Sequence, residues 1–183
     1  MAVARESILA LLEETDGRSE LYDGELREKP PMSVDHNQSV WELLRQLLPQ
    51  LPPSIYQLRS NGGHLAVPGT NSFVPDLFVL PVETLARMTP EQRRFERYAD
   101  PMPFVVEIWS PSTGSYAVDR KIPGYQVRGD LEIWRIRPFD RTVQIWRRQA
   151  KGGYAESLHL EGIVTLHALP QVRIDLEPLF VSE

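Results

Sequence analysis

The sequence predicts an α/β (α+β) domain built on a β-sheet, and three observations predict it. Phe73 to Leu80 (FVPDLFVL) and Phe104 to Trp109 (FVVEIW) are apolar runs of strand length, the pattern of strands buried on both faces. Between Asp35 and Leu48, the residues Val40, Leu43, Leu44, Leu47 and Leu48 share one helical face. LEIWRI, TVQIWRR and the stretch from Tyr154 to Leu160 then read as an antiparallel extension of the sheet toward the C-terminus.

A chain of 183 residues with 42% apolar content is expected to form one domain over residues 1–183, with a helical segment over 1–18 ahead of a core over 19–183. It contains no cysteine, which excludes disulfide frameworks, thiolate metal sites and cysteine nucleophiles. Acidic residues in and just after the first short apolar stretch suit neither a signal nor a transit peptide. No apolar run approaches the ~20 residues of a membrane span, so a soluble, cytoplasmic protein is expected. The net charge of −5 argues against coating nucleic acid by bulk electrostatics, though not against a local contact. Charge is uneven along the chain. Eight acids face four bases over residues 1–30, whereas residues 128–150 carry six arginines against three acids, which suggests an acidic beginning and a basic later half unless those arginines are ordinary strand faces.

Taken in order, residues 6–14 read as a short amphipathic helix. SELYDGELRE reads as a strand or hairpin about Asp23-Gly24 with its acids facing water, ended by Pro30 and Pro31. The Asp35–Leu48 helix has Ser33 or Asp35 as its cap. His36 lies in its first turn, where free amides suit an anion such as phosphate; a histidine merely exposed at a helix start is the plainer alternative. SIYQLRS and HLAVP look like a hairpin joined at Asn61-Gly62, with a solvated His64. Thr89, Pro90 and Gln92 mark the start of a short helix rich in Arg93, Arg94 and Arg97; this excursion is either a solvated face or a nucleic-acid contact. Ser110 to Thr113 is a turn with ready helix caps, and Tyr116 to Val127 should be helical until Gly129, with a kink or break at Pro123-Gly124. DLEPLF should dock as a last turn. His159 and His167 have no partners at a metal-ligand spacing.

The chemistry centres on two acids in buried-strand settings, Asp76 and Glu107. Each needs a partner, a proton or a cation there. If the strands are neighbours, two carboxylates ~4 Å apart repel by ~4 kcal/mol at an effective dielectric near 20. A divalent cation would remove that repulsion. Mg²⁺ or Mn²⁺ could be held by Asp76, Glu107 and a main-chain carbonyl such as that of Ile108. Lys121, in the segment after the second strand, could orient or help deprotonate an attacking water and offset transition-state charge. Such a set suits metal-assisted phosphodiester hydrolysis, but a structural ion pair explains the same spacing. Motifs for phosphate loops, dinucleotide binding, the esterase elbow and zinc proteases are missing from the sequence.

YDGEL, His36 opening a helix, VPDLFVL, VVEIWSPST and the Asp-Arg-Lys followed by Tyr125 and Gly129 together resemble a large bacterial family. It is the putative restriction endonuclease family, formerly a domain of unknown function abundant in cyanobacteria, within the PD-(D/E)XK nuclease superfamily. The resemblance runs from about Leu21 to Leu179. It implies a restriction-endonuclease-like mixed sheet flanked by helices, with Asp76 and Glu107 as metal ligands. The superfamily's usual lysine lies two residues after the glutamate, where this chain has Trp109; family members look as though that lysine has moved to the following helix, which makes Lys121 its counterpart.

Three functions compete. The first is a divalent-metal-dependent DNA endonuclease working as a homodimer, since cutting both strands is easiest with paired sites. The second is an inactive nuclease-fold module for binding or scaffolding. The third is a metal-dependent hydrolase acting on RNA or another phosphate ester.

Overall fold

The computed structural model describes residues 19–69, 71–109 and 114–180; the expected helix at 6–14 and the turn at 110–113 lie outside them. Among the described residues the first element is a hairpin of β1 (Ser19–Tyr22) and β2 (Glu25–Glu28). Asp23 and Gly24 both take positive φ, 49° and 83°, as a tight two-residue hairpin turn requires.

The first helix, α1 (Val34–Leu47), starts at Ser33, whose hydroxyl accepts from the His36 amide. Its face of Val40, Leu43 and Leu47 is buried. Leu48, expected on that face, has left the helix for a 3-10 turn at Leu48–Gln50 and is 61% exposed. Pro49 enforces that change of course.

The expected hairpin at Asn61-Gly62 does not form. The strand before it, β3 (Tyr56–Ser60), pairs with β6 (Leu77–Pro81), whereas β4 (His64–Ala66) pairs with β5 (Ser72–Phe73) and β7 (Arg97–Tyr98) in another sheet. Gly63 carries the chain across. Its φ is +79°, and a Cβ there would lie 2.9 Å from the Tyr98 ring, so only glycine fits the crossing. The run Phe73–Leu80 is likewise two strands rather than one: Phe73 ends β5, and Val74 to Asp76 pass between the sheets before β6 begins. His64 is buried, not solvated.

Between β6 and β8 (Phe104–Ile108) the chain makes α2 (Val82–Arg87), α3 (Pro90–Arg94) and β7. Thr89 and Gln92 cap α3 reciprocally, as their spacing suggests. Arg97 is not in that helix but in β7. After β8 comes α4 (Gly114–Arg128), ending where Gly129 N–H returns to the Tyr125 carbonyl at 3.1 Å. The break expected at Pro123 is absent. Pro123 lies on the exposed face, where a carbonyl without an amide partner can turn to water. Gly124 lies on the packed side, where a Cβ would come 2.6 Å from Phe73 Cε2. The glycine that looked like a weakness lets the helix approach the sheet.

The strands β9 (Glu132–Arg137), β10 (Thr142–Arg148) and β11 (Tyr154–His159) form the expected antiparallel extension. They complete a six-stranded mixed sheet in the order β11-β10-β9-β8-β6-β3, in which only β8 and β9 are parallel. A second sheet has the order β2-β1-β5-β4-β7. A hairpin of β12 (Ile163–Thr165) and β13 (Arg173–Asp175), not anticipated, precedes the docked last turn, where Leu179 and Phe180 are buried.

Strand alternation divides the core. Leu77, Val79, Phe104, Val106, Trp134 and Ile136 face α1 and the C-terminal segment, while Phe78, Leu80, Val105 and Ile133 face α4 and the second sheet. Several of the later arginines are matched by acids. Arg128 is buried and pairs with Asp130 at 3.0 Å, Arg137 pairs with Asp140 at 2.9 Å, and Arg147 with Glu132 at 3.2 Å. The fold is the α+β arrangement the sequence predicts, with a mixed sheet between helices.

Candidate active site

Antiparallel pairing of β6 and β8 sets Leu77 opposite Val106. The next step along each strand puts Asp76 beside Glu107 at the edge of the α4 side. Alternation also sends Glu107 to that side, since its neighbours Val106 and Ile108 belong to the opposite core. Both carboxylates are buried, and each has found cationic partners.

Asp76 Oδ1 accepts from the Lys29 ammonium at 2.8 Å. Its Oδ2 accepts from the Ile108 amide at 2.7 Å and lies 3.1 Å from His36 Nε2. Burial opposes ionisation of Asp76, but the Lys29 ammonium and the His36 hydrogen bond outweigh it and hold the carboxyl well below the usual range. His36 is therefore not exposed but buried, with its ring Nε2 on Asp76 and its amide bonded to the Ser33 hydroxyl, so neither group is left free for the anion expected at this helix start.

Glu107 is served by α4. Lys121 Nζ lies 3.1 and 3.2 Å from its two oxygens, and the Tyr125 hydroxyl donates to Oε1 at 2.5 Å. Residues four apart share a helix face, so the unbroken helix presents both groups together. Burial pushes Glu107 up to about 7, with the Lys121 charge pulling against it and the Asp76 charge adding to it. Burial also works against the charge on Lys121, but Glu107, Glu20 and Asp76 outweigh it and hold the ammonium above the ordinary lysine range. Tyr125 is pushed well above a normal phenol by burial and by Glu107, so it stays a donor.

The expectation that the first hairpin's acids face water fails at Glu20. Its carboxylate is 2.5 Å from Lys121 Nζ and accepts from the Val74 amide at 2.9 Å, with the side chain only 12% exposed. Alternation places Glu20 opposite Leu21, and the outer face of β1 turns out to be the wall of the site. Lys29, Tyr125 and the Val74 carbonyl were also missed. Tyr125 was findable, because it lies one helical turn beyond Lys121; nothing local marks Lys29, which follows a strand end and precedes two prolines.

Among the described residues no group of three or more His, Asp or Glu side chains is arranged to hold a metal ion. The oxygens that could serve a hard divalent cation are the carboxylates of Asp76 and Glu107 with a main-chain carbonyl. Ile108 is oriented for that. Its amide faces Asp76, while Trp109 N–H faces β9, and the N–H and C=O of one strand residue point to the same side. Two residues after Glu107 stands Trp109, under the Arg137 guanidinium at 4.9 Å, so the ammonium comes from α4 instead.

Of the expected substrate contacts, Arg93 and Arg94 are exposed on α3, where Arg93 donates to the Leu85 carbonyl and Arg94 lies over the Phe95 ring. Arg97 sits in β7 in register with His64. The site thus gathers Asp76, Glu107, Lys121, Ile108 and His36, and leaves the three arginines on a separate excursion.

No curated protein matches the sequence. A solved structure described as a putative nuclease belonging to DUF820, from Anabaena variabilis, superposes with a TM-score of 0.76 at 19% identity, covering 94% of this chain and 96% of that one. This likeness establishes the fold. The family model described as "Putative restriction endonuclease" (Uma2) matches residues 5–177. With that match spanning nearly all of the sequence, the chain belongs to the putative restriction endonuclease family.

Proposed function

We propose that the chain is a divalent-metal-dependent endonuclease hydrolysing DNA phosphodiester bonds, with Asp76, Glu107 and Lys121 as its catalytic residues. The observation that carries this reading is the convergence of two buried carboxylates from paired strands with an ammonium 3.1 Å from one of them. Family membership supports the nuclease assignment.

In this reading Mg²⁺ or Mn²⁺ is held by Asp76, Glu107 and the Ile108 carbonyl. When bound, such an ion polarises a phosphoryl oxygen and makes water a better nucleophile. Support for the fit comes from the all-oxygen donor set, in which two buried carboxylates lie side by side. The chain's own groups do the remaining work. His36 and the Ile108 amide fix Asp76, while Tyr125 fixes Glu107. Lys121 offsets the negative charge that grows on the phosphoryl oxygens. Its pKa is raised, so it keeps its proton near neutral pH and acts as a fixed cation, not as the base that activates water. The reading includes a homodimer, which pairs two sites for the two strands of a duplex, and the exposed Arg93 and Arg94 with Arg97 as the DNA contact.

The test is cleavage of supercoiled plasmid in Mg²⁺ or Mn²⁺ by the wild type beside Asp76→Ala and Lys121→Ala. The wild type should nick and linearise the plasmid while both variants lose at least about 100-fold. Equal traces in all three would point to contamination and end the proposal. A second reading, an inactive binding or scaffolding module, draws on the Lys29 ammonium at 2.8 Å from Asp76. It requires Mn²⁺ affinity to be indifferent to Glu107→Gln.

A further inference from the structure

Lys29 directly follows β2, yet its side chain turns inward and is 11% exposed. The ammonium rests on three oxygens from three places: Asp76 Oδ1 at 2.8 Å, the Val74 carbonyl at 2.9 Å and Asn61 Oδ1 at 3.3 Å. An ordinary ion pair uses one acid. A carboxylate, a main-chain carbonyl and an amide oxygen converging on one point are the ligand types of a hard metal cation. Asn61 is fixed for this role, with φ at 51° and its own amide donating to the Asp76 carbonyl at 3.0 Å.

We infer that Asp76, the Val74 carbonyl and the Asn61 side chain form a cation seat that the chain fills with its own Lys29, so that a divalent ion enters as that ammonium withdraws. The inference rests on the reading above in which Asp76 is a metal ligand. It extends that reading by adding two oxygen donors and a built-in competitor. Of the two ammoniums in the site, Lys29 is the one able to leave. Lys121 is held by Glu20, by both oxygens of Glu107 and, at 3.5 Å, by the Val74 carbonyl. Among the described residues Lys29 has one carboxylate partner, is the more exposed of the two, and belongs to a segment outside any strand or helix.

The test is calorimetric titration of the full chain with Mn²⁺, comparing wild type, Lys29→Met and Lys29→Arg. Removing the internal cation should tighten binding at least tenfold, and keeping the charge as arginine should not. Unchanged or weaker binding by a folded Lys29→Met protein overturns the inference and leaves the metal reading in place. No binding by any of the three overturns the metal reading, and the inference with it. A second measurement needs no variant. The chain has three lysines, 29, 121 and 151, and Lys151 is exposed, so it serves as an internal reference for acetylation followed by peptide mass spectrometry. Mn²⁺ should raise Lys29 labelling severalfold relative to Lys151; unchanged labelling at saturating Mn²⁺ overturns the withdrawal.

Discussion

The Tyr125 hydroxyl donates to Glu107 Oε1 at 2.5 Å. That bond comes from the same helix face as the Lys121 ammonium, so Glu107 is gripped twice by one element. Tyr125→Phe keeps the ring and its edge-on contact with Phe73, whose centroids are 5.8 Å apart, and deletes only the donor. Metal affinity or cleavage should fall about 10- to 100-fold, the usual effect of removing a partner that orients a ligand. Urea unfolding should show a loss of about 1–3 kcal/mol for the buried acceptor left short of a bond. Wild-type values for both would make Tyr125 a packing residue.

Gly124→Ala tests whether helix position matters to the site. The added methyl would meet the Phe73 ring at 2.6 Å, and overpacking of this kind costs about 1–3 kcal/mol. Because Lys121 and Tyr125 ride on the same helix, activity should fall along with thermal stability. A stable variant with full activity would mean that the contact relaxes without moving α4.

His64 is buried, and burial, with the nearby Arg97 charge adding to it, lowers its pKa below the ordinary histidine value. A group with a depressed folded-state pKa contributes stability above its unfolded value of about 6.5 and loses it as pH falls. Denaturant unfolding at pH 7.5 and pH 5 should therefore show a steeper acid loss in the wild type than in His64→Gln. Parallel pH dependence in the two proteins would remove His64 as the cause.

The α3 excursion carries its own prediction. Neutralising Arg93, Arg94 and Arg97 together should weaken DNA binding, measured in Ca²⁺ by fluorescence anisotropy. It should also flatten the salt dependence by up to ~0.9 for each phosphate that is no longer neutralised. An unaltered slope would take this segment off the DNA-binding surface.

The two acids were legible because burial makes a charge conspicuous, and Lys121 joined them through its place after the second strand and the family resemblance. An Asp or Glu inside an apolar strand has to be explained, and here each explanation was an ion. The helix at Val34–Leu47 and the three late strands also followed from periodicity and turn chemistry, as did the helix at Gly114–Arg128 apart from the break expected at Pro123-Gly124. What failed was pairing. Nothing local says that Tyr56–Ser60 and His64–Ala66 belong to different sheets, since Asn61-Gly62 looks like a hairpin turn and only the crowding around Gly63 forces the crossing. The same blindness hid Glu20. Alternation correctly set it opposite Leu21, but which face meets water is decided by the sheet that later covers it. Pro123 misled for a similar reason, because its cost depends on whether that side of the helix is wet.

Val74 lies at the centre of the ionic cluster through its main chain alone: its carbonyl receives Lys29 and Lys121, its amide binds Glu20, and its side chain is fully buried in the core. Alanine scanning would therefore score this position as hydrophobic packing and miss its polar duty, because alanine brings the same N–H and C=O. Editing the backbone, for example by an amide-to-ester exchange introduced through chemical ligation, would expose it.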